Sequence, residues 1–180
     1  IVEDLLMLAR SDSPNFLSIS EVDLEPFIDE VLDKAQALAP RKWYLDHQAE
    51  GVALLDRQRI TQAMLQLALN ATQHTTTDQE IHLGTEIYGD QLHLWVRDTG
   101  SGVPRADRER VFDRFARGST NGDSSGTGLG LAIVRAIAQG HGGAVVLVET
   151  SSGGAEFRLE LPLQSPEGNL AAASKDTIWS

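Results

Sequence analysis

Two glycine-rich segments of unlike kind constrain this chain more than any other feature. Asp98-Thr99-Gly100-Ser101-Gly102 follows an alternating run, Leu92, Leu94, Val96, whose period of two predicts a strand over Gln91–Arg97. Gly126-Thr127-Gly128-Leu129-Gly130-Leu131 leads instead into Ala132-Ile133-Val134-Arg135, which predicts a helix from near Thr127 to Gln139-Gly140. The stretch from about Ser101 to Ser125 is rich in charge, Gly and Ser and has no period. Such a run inside a domain is a functional lid or a disordered segment.

The other elements follow from the same patterns. Arg57 to about His74 carries Ile60, Ala63, Met64, Leu67, Ala68 and Ala71 at helical spacing. Glu80–Tyr88 pairs with the strand after it around Gly89-Asp90 as a hairpin. Phe16 to Val22 alternates like a strand, and Asp23 is placed to cap a helix reaching Ala39 before Pro40. Trp43–His47 and Val52–Asp56 read as short strands around Gly51. Val145–Glu149 and Phe157–Leu161 read as a last pair joined by Ser151-Ser152-Gly153-Gly154. The order predicts an α+β two-layer sandwich: one mixed sheet covered on one face by three helices, with a long mobile lid. Residues 164–180 lack periodicity and read as a flexible tail. Residues 1–10 read as the end of a helix whose stripe of Leu5, Leu8 and Ala9 is too short to bury itself. With no Met at its start, the chain is expected to be cut from a longer one.

A net charge of -11 argues against binding nucleic acid or anionic membranes, because phosphate surfaces repel an acidic one. It leaves room for a phosphorylated ligand met locally by backbone amides and a metal. With no cysteine there is neither a disulfide framework nor a thiolate zinc site.

Three features carry chemistry. On the helix from Arg57, the residues Gln66, Asn70, Gln73 and His74 share a polar strip, which reads either as a solvated face or as a row facing a ligand. An Asn carbonyl is a hard oxygen that suits Mg²⁺. Asp98 at a strand end can accept a hydrogen bond from an exocyclic amine such as that of adenine, while Gly100 and Gly102 allow a sharp turn and a close backbone approach. The alternative is an ordinary Gly-rich turn. The loop Gly126–Leu131 before a helix offers amides and a dipole to anions. It is not a Walker loop, since no Gly-Lys-Ser/Thr follows, and no strand enters it as a dinucleotide fingerprint requires.

In combination these pieces resemble the Bergerat ATP-binding fold, the superfamily of DNA gyrase, Hsp90, MutL and histidine kinases. The order is Asn on a helix, Asp-x-Gly-x-Gly after a strand, lid, then Gly-x-Gly-Leu-Gly-Leu before a helix. Sensor histidine kinases match best: Leu69-Asn70-Ala71-Thr72-Gln73-His74-Thr75 resembles their Asn box, and Val111-Phe112-Asp113-Arg114-Phe115-Ala116-Arg117 the Phe-x-Arg-Phe box of their lids. His141-Gly142-Gly143 and Gly154-Ala155-Glu156-Phe157 through Pro162 also fit, so the resemblance spans about residues 16–163.

The resemblance implies a set of roles. Asn70 would ligate Mg²⁺ and, with Gln66 and Arg114, act in catalysis. Asp98 would hold the adenine amine, with Gly100 and Gly102 shaping the pocket and His74 beside it. Gly126, Thr127, Gly128, Leu129, Gly130 and Leu131 would meet the phosphates of ATP, and Phe112 and Phe115 would anchor the lid. Residues 1–12 would end the second helix of a dimerisation and phosphoacceptor domain. None of the five histidines stands in the acceptor setting of Glu followed by Arg/Lys-x-Pro, so the acceptor is expected elsewhere and the fragment alone is not expected to autophosphorylate. The implied partners are the dimerisation helices of the same kinase and a response regulator. The implied place is the cytoplasmic part of a membrane-anchored bacterial kinase, with no membrane contact by this segment.

Three positions depart from the family pattern. Gln66 stands where most such kinases have Asn and gyrase-like ATPases have a water-activating Glu; Gln cannot take a proton, which argues against a hydrolase. Gln73 replaces a common Lys or Arg, and Ala155 a common Thr, so ATP affinity is expected to be modest. A Bergerat-fold ATPase or anti-sigma-factor serine kinase, and a degenerate nucleotide-binding regulator, are the competing readings.

Overall fold

The computed structural model describes residues 2–11, 13, 15–116, 128–150 and 153–163. Gly126, Thr127, the part of the expected lid from residue 117 to 125 and the tail 164–180 lie outside the described residues.

The sheet follows from alternation. Strands β2 (Lys42–His47), β4 (Glu80–Tyr88), β5 (Gln91–Asp98), β6 (Ala144–Glu149) and β7 (Ala155–Pro162) form one sheet in the order β2-β4-β5-β7-β6. Only β2–β4 is parallel and the other pairs are antiparallel, so the sheet is mixed. Leu92, Leu94 and Val96 of β5 and Phe157, Leu159 and Leu161 of β7 are all buried, as period-two side chains on a covered face must be. Helices α2 (Leu24–Gln36), α3 (Arg57–Gln73) and α4 (Gly130–Gly140) pack on that face.

Two strands leave the expected plan. β1 (Ser20–Asp23) and β3 (Val52–Leu55) pair antiparallel as a separate two-stranded sheet instead of extending the main one. β1 is short, and of its four residues only Val22 is buried, so it has one apolar contact to offer. Helix α2 ends at Gln36, three residues before the expected Ala39, and Asp23 stands at its N-cap position without a side-chain cap bond.

Helix α3 is the axis of the helical layer, with Ile60, Ala63, Met64, Leu67, Ala68 and Ala71 all buried. Its true cap is Asp56: Oδ1 accepts from the Arg59 amide at 2.9 Å, and Oδ2 accepts from the Ser18 amide at 2.7 Å. The Asp56 amide in turn donates to His141 Nε2 at 3.0 Å, and His141 Nδ1 meets the Ile137 carbonyl at 2.8 Å. A backbone N–H can only donate and a carbonyl only accept, so this is the neutral imidazole with its proton on Nδ1. It ties the start of α3 to the end of α4.

Helix α1 (Val2–Arg10) packs on α4 through Met7 and Leu8. Of the expected stripe only Leu8 is buried; Val2, Leu5 and Leu6 remain exposed. Among the described residues no helix is long and apolar enough to cross a membrane.

Candidate nucleotide site

The Asp98 turn is built by close backbone approach. A Cβ on Gly154 would fall 1.8 Å from the Asp98 carbonyl oxygen, so the β6–β7 turn presses directly on this residue. A Cβ on Gly100 would fall 2.2 Å from the His74 carbonyl oxygen, which sets the end of α3 against the same turn. Side chains other than hydrogen are excluded at both points without backbone movement.

Within that frame Asp98 is 2% exposed, and its Oδ1 accepts from the Gly100 amide at 2.8 Å and the Ala155 amide at 3.4 Å. Among the described residues both recorded bonds fall on Oδ1, which leaves Oδ2 for a donor from outside. Burial raises the Asp98 carboxyl above the usual carboxylate range, and the two amides partly offset that. An amine donor on Oδ2 would stabilise the anion.

The opposite end is the start of α4. Its N-cap residue is Leu129, which gives no side-chain cap bond, while Gly128 takes a φ of 69° that favours glycine. The amides of a helix's first turn have no intrahelical acceptor, and such amides suit an anion. Gln66 reaches this end from α3: its Oε1 lies 2.7 Å from where a Cβ on Gly130 would stand.

Gln66 and Asn70 are half-buried on α3, and Gln73 and His74 are exposed at its end. The polar strip thus runs from the α4 start to the Asp98 turn. Gln66 and His74 are eight positions apart, which at 1.5 Å per residue is about 12 Å, with Asn70 midway. Among the described residues no group of three His, Asp or Glu side chains is arranged to hold a metal unaided. Asn70 offers a side-chain carbonyl oxygen midway along the strip, a hard donor of the kind that suits magnesium.

The described part of the expected lid is not featureless. Arg105–Asp107 form a 3-10 turn, and further turns run to Phe115. Phe112 packs edge-on against Phe157 of β7 at 5.9 Å between ring centres. Phe115 is 62% exposed, and its backbone does the joining. With φ at 62°, its amide donates to the Gly128 carbonyl at 2.8 Å, which closes the lid root onto the glycine loop. Arg114 is exposed beside it. Beside the turn a cavity of about 300 Å³ is lined by Gly102, Val103, Arg105, Arg108 and Glu149 among others. It shares Gly102 and Gly154 with the Asp98 turn, and Gln66, Asn70, His74 and Asp98 are not among its lining residues.

Two contributors were invisible to motif reading. Arg41 donates to the carbonyls of Thr72 and Thr75 at the end of α3, and Gln79 donates to the Thr99 carbonyl at 3.0 Å. Both act across the fold, and only the basic charge of Arg41 hinted at a helix-end partner.

Comparison with known proteins agrees with this geometry. Residues 55–165 match the model of the family described as histidine kinase-, DNA gyrase B- and HSP90-like ATPase. A probable sensor histidine kinase, TcrY of Mycobacterium tuberculosis (strain ATCC 25618 / H37Rv), is 38% identical over 167 residues, covering 91% of this chain and 35% of the relative. The chain thus spans about a third of that relative's length. Full-length ShkA, solved in complex with AMPPNP, superposes with a TM-score of 0.76 at 30% identity, covering 91% of this chain and 35% of ShkA. The catalytic domain of the histidine kinase ThkA superposes with a TM-score of 0.69 at 26% identity, covering 82% of this chain and 97% of ThkA's. The α+β architecture is that of histidine kinase ATP-binding domains, and the chain belongs to the histidine kinase-, DNA gyrase B- and HSP90-like ATPase family.

Proposed function

We propose that residues 16–163 are the catalytic ATP-binding unit of a two-component sensor histidine kinase, which transfers the γ-phosphate of Mg-ATP to a histidine on a separate helical segment. The observation that carries this reading is the span of α3, which sets Gln66 at the start of α4 and His74 at the Asp98 turn. An adenine at one end and a triphosphate at the other would lie along it.

In this reading Asp98 Oδ2 accepts from the exocyclic amine of adenine, and Gly100 and Gly102 let the base approach the backbone. The amides from Gly128 to Leu131 hold phosphate oxygens, an assignment extended to Gly126 and Thr127. Asn70 would supply an oxygen to a magnesium ion, whose charge would offset that of the phosphates. Gln66 positions without exchanging a proton, which suits transfer to a protein acceptor better than activation of water. Arg114 offsets charge developing on the transferred group once the lid closes, and Phe112 ties that lid to the sheet.

Residues 1–12 are read as the end of a dimerisation-domain helix, the acceptor histidine as lying outside this segment, and the partner downstream as a response regulator. The whole kinase is read as membrane-anchored with this part in the cytoplasm. Incubating the chain with γ-labelled ATP, Mg²⁺ and a separately supplied phosphoacceptor helix pair tests the function. Label on the pair's histidine is expected. Steady phosphate release without labelling would instead make it an ATPase, and binding without either would make it a regulatory module.

A further inference from the structure

Arg41 lies just after Pro40, in the connection between α2 and β2, far from either glycine segment in sequence. Its Nε donates to Thr75 Oγ1 at 3.2 Å, and one terminal nitrogen donates to the carbonyls of Thr72 at 3.1 Å and Thr75 at 2.9 Å. The other terminal nitrogen donates to its neighbour's carbonyl, Pro40 O, at 3.2 Å. Thr75 is buried and donates its own hydroxyl to the Ala71 carbonyl at 2.8 Å. One planar guanidinium thus meets the carbonyls that the last turn of a helix leaves unpaired.

The residue between those two carbonyl contacts matters most. His74 precedes Thr75, and its own carbonyl is the atom pressed against Gly100. The chain leaving Thr75 then returns to the same turn. Gln79 Nε2 donates to the Thr99 carbonyl at 3.0 Å, the Glu80 amide donates to Thr99 Oγ1 at 2.9 Å, and the Thr99 amide donates to the Glu80 carbonyl at 3.1 Å. The segment clamped by Arg41 therefore supports the Asp98–Gly100 turn both through His74 and through Thr99.

We propose that Arg41 is a positioning residue for base recognition: by fixing the end of α3 it holds Gly100, and hence the Asp98 carboxylate, where it can select an exocyclic amine. This rests on the nucleotide reading above. The phosphate end at Gly130 is two turns away along α3 and does not depend on the clamp.

The experiment compares ATP with inosine triphosphate, which keeps the phosphates and lacks the amine, by calorimetric titration of the 180-residue chain in Mg²⁺. Unaltered protein is expected to prefer ATP. Arg41→Gln is expected to weaken ATP binding about tenfold and leave inosine triphosphate binding unchanged, so that the preference disappears. Arg41→Lys, which keeps the charge and loses the fork, should lose most of the preference too and serves if the Gln variant does not fold. A folded variant of either kind that keeps the full preference would make Arg41 a helix clamp only and overturn the proposal. Equal loss for both nucleotides would overturn it as well, since that is the signature of general loosening. If the unaltered chain binds neither nucleotide, the nucleotide reading itself fails, and the proposal with it.

Discussion

The side-chain oxygen of Gln66 sits 2.7 Å from the position a Cβ on Gly130 would occupy, so the middle of α3 and the first turn of α4 meet with no room for a methyl group. The obstructing atom ends a flexible side chain, which can swing away at little cost to the fold. Gly130→Ala is therefore expected to leave thermal stability unchanged or to raise it, since Ala is favoured over Gly within a helix by about 1 kcal/mol. The displaced amide would instead disturb the anion end, weakening Mg-ATP binding by about five- to tenfold. Thermal denaturation beside calorimetric titration separates the two effects, and a drop in stability with unchanged affinity would refute this.

Asp98 is expected to show the opposite separation from an ordinary buried carboxylate. Burial raises its pKa above the ordinary aspartate range, so the folded chain holds its proton more tightly than the unfolded one. The stability this group contributes is complete below the unfolded value and is lost as pH rises through the folded value. At neutral pH the ionised, unliganded carboxylate therefore costs stability. Asp98→Asn keeps an oxygen for the Gly100 and Ala155 amides but presents N–H to an incoming amine. It should be at least as stable as the parent at pH 7, while ATP binding falls by about 1.5–3 kcal/mol, the worth of a hydrogen bond to a charged group. Urea unfolding and nucleotide titration of the same sample check both halves.

His141 carries an acid-sensitive contact. Burial lowers its pKa below 6.5, and the interactions with the Ile137 carbonyl and Asp56 only partly offset this. The group facing it from the start of α3 is the Asp56 amide, whose bond requires an unprotonated Nε2. The folded pKa lies below the unfolded one, so its contribution is complete above about 6.5 and lost as pH falls through the folded value. Stability should decline on acidification from pH 7 toward 5. In His141→Gln, whose amide does not titrate, that part of the slope should be missing. An unchanged slope in the variant would rule out His141 as its source.

Much of this was legible in the residues, and the limits have physical causes. The α3 stripe and the β4–β5 hairpin are local patterns, and their bounds fall within a residue of those read from periodicity. The positions of Asp98 at a strand end, Asn70 on the polar strip of α3 and Gly130 at a helix start were legible because each follows from a local pattern. The Asp56 cap was missed because Asp56 also closes a strand pattern, and its second bond goes to Ser18, far away in the chain. Arg41 was passed over, and His141 was read only as part of a His-Gly-Gly motif, for the same reason: Arg41 acts on carbonyls at the end of α3 and His141 on an amide at its start, and backbone groups leave no trace in a residue pattern. Phe115 is exposed and makes its contact to Gly128 through its backbone amide, which residue type alone does not reveal.

The central claim is that a nucleotide lies along α3 between the Asp98 turn and the start of α4. Following the backbone and Asn side-chain amide resonances of the chain while AMPPNP is added in Mg²⁺ tests it most directly. The largest shifts are expected at Gly100, Gly102, the Asn70 side chain and the amides from Gly128 to Leu131. Shifts at Arg105, Arg108 and Glu149 with none at Gly100, the Asn70 side chain or Gly128 to Leu131, or no shifts at millimolar nucleotide, would contradict it.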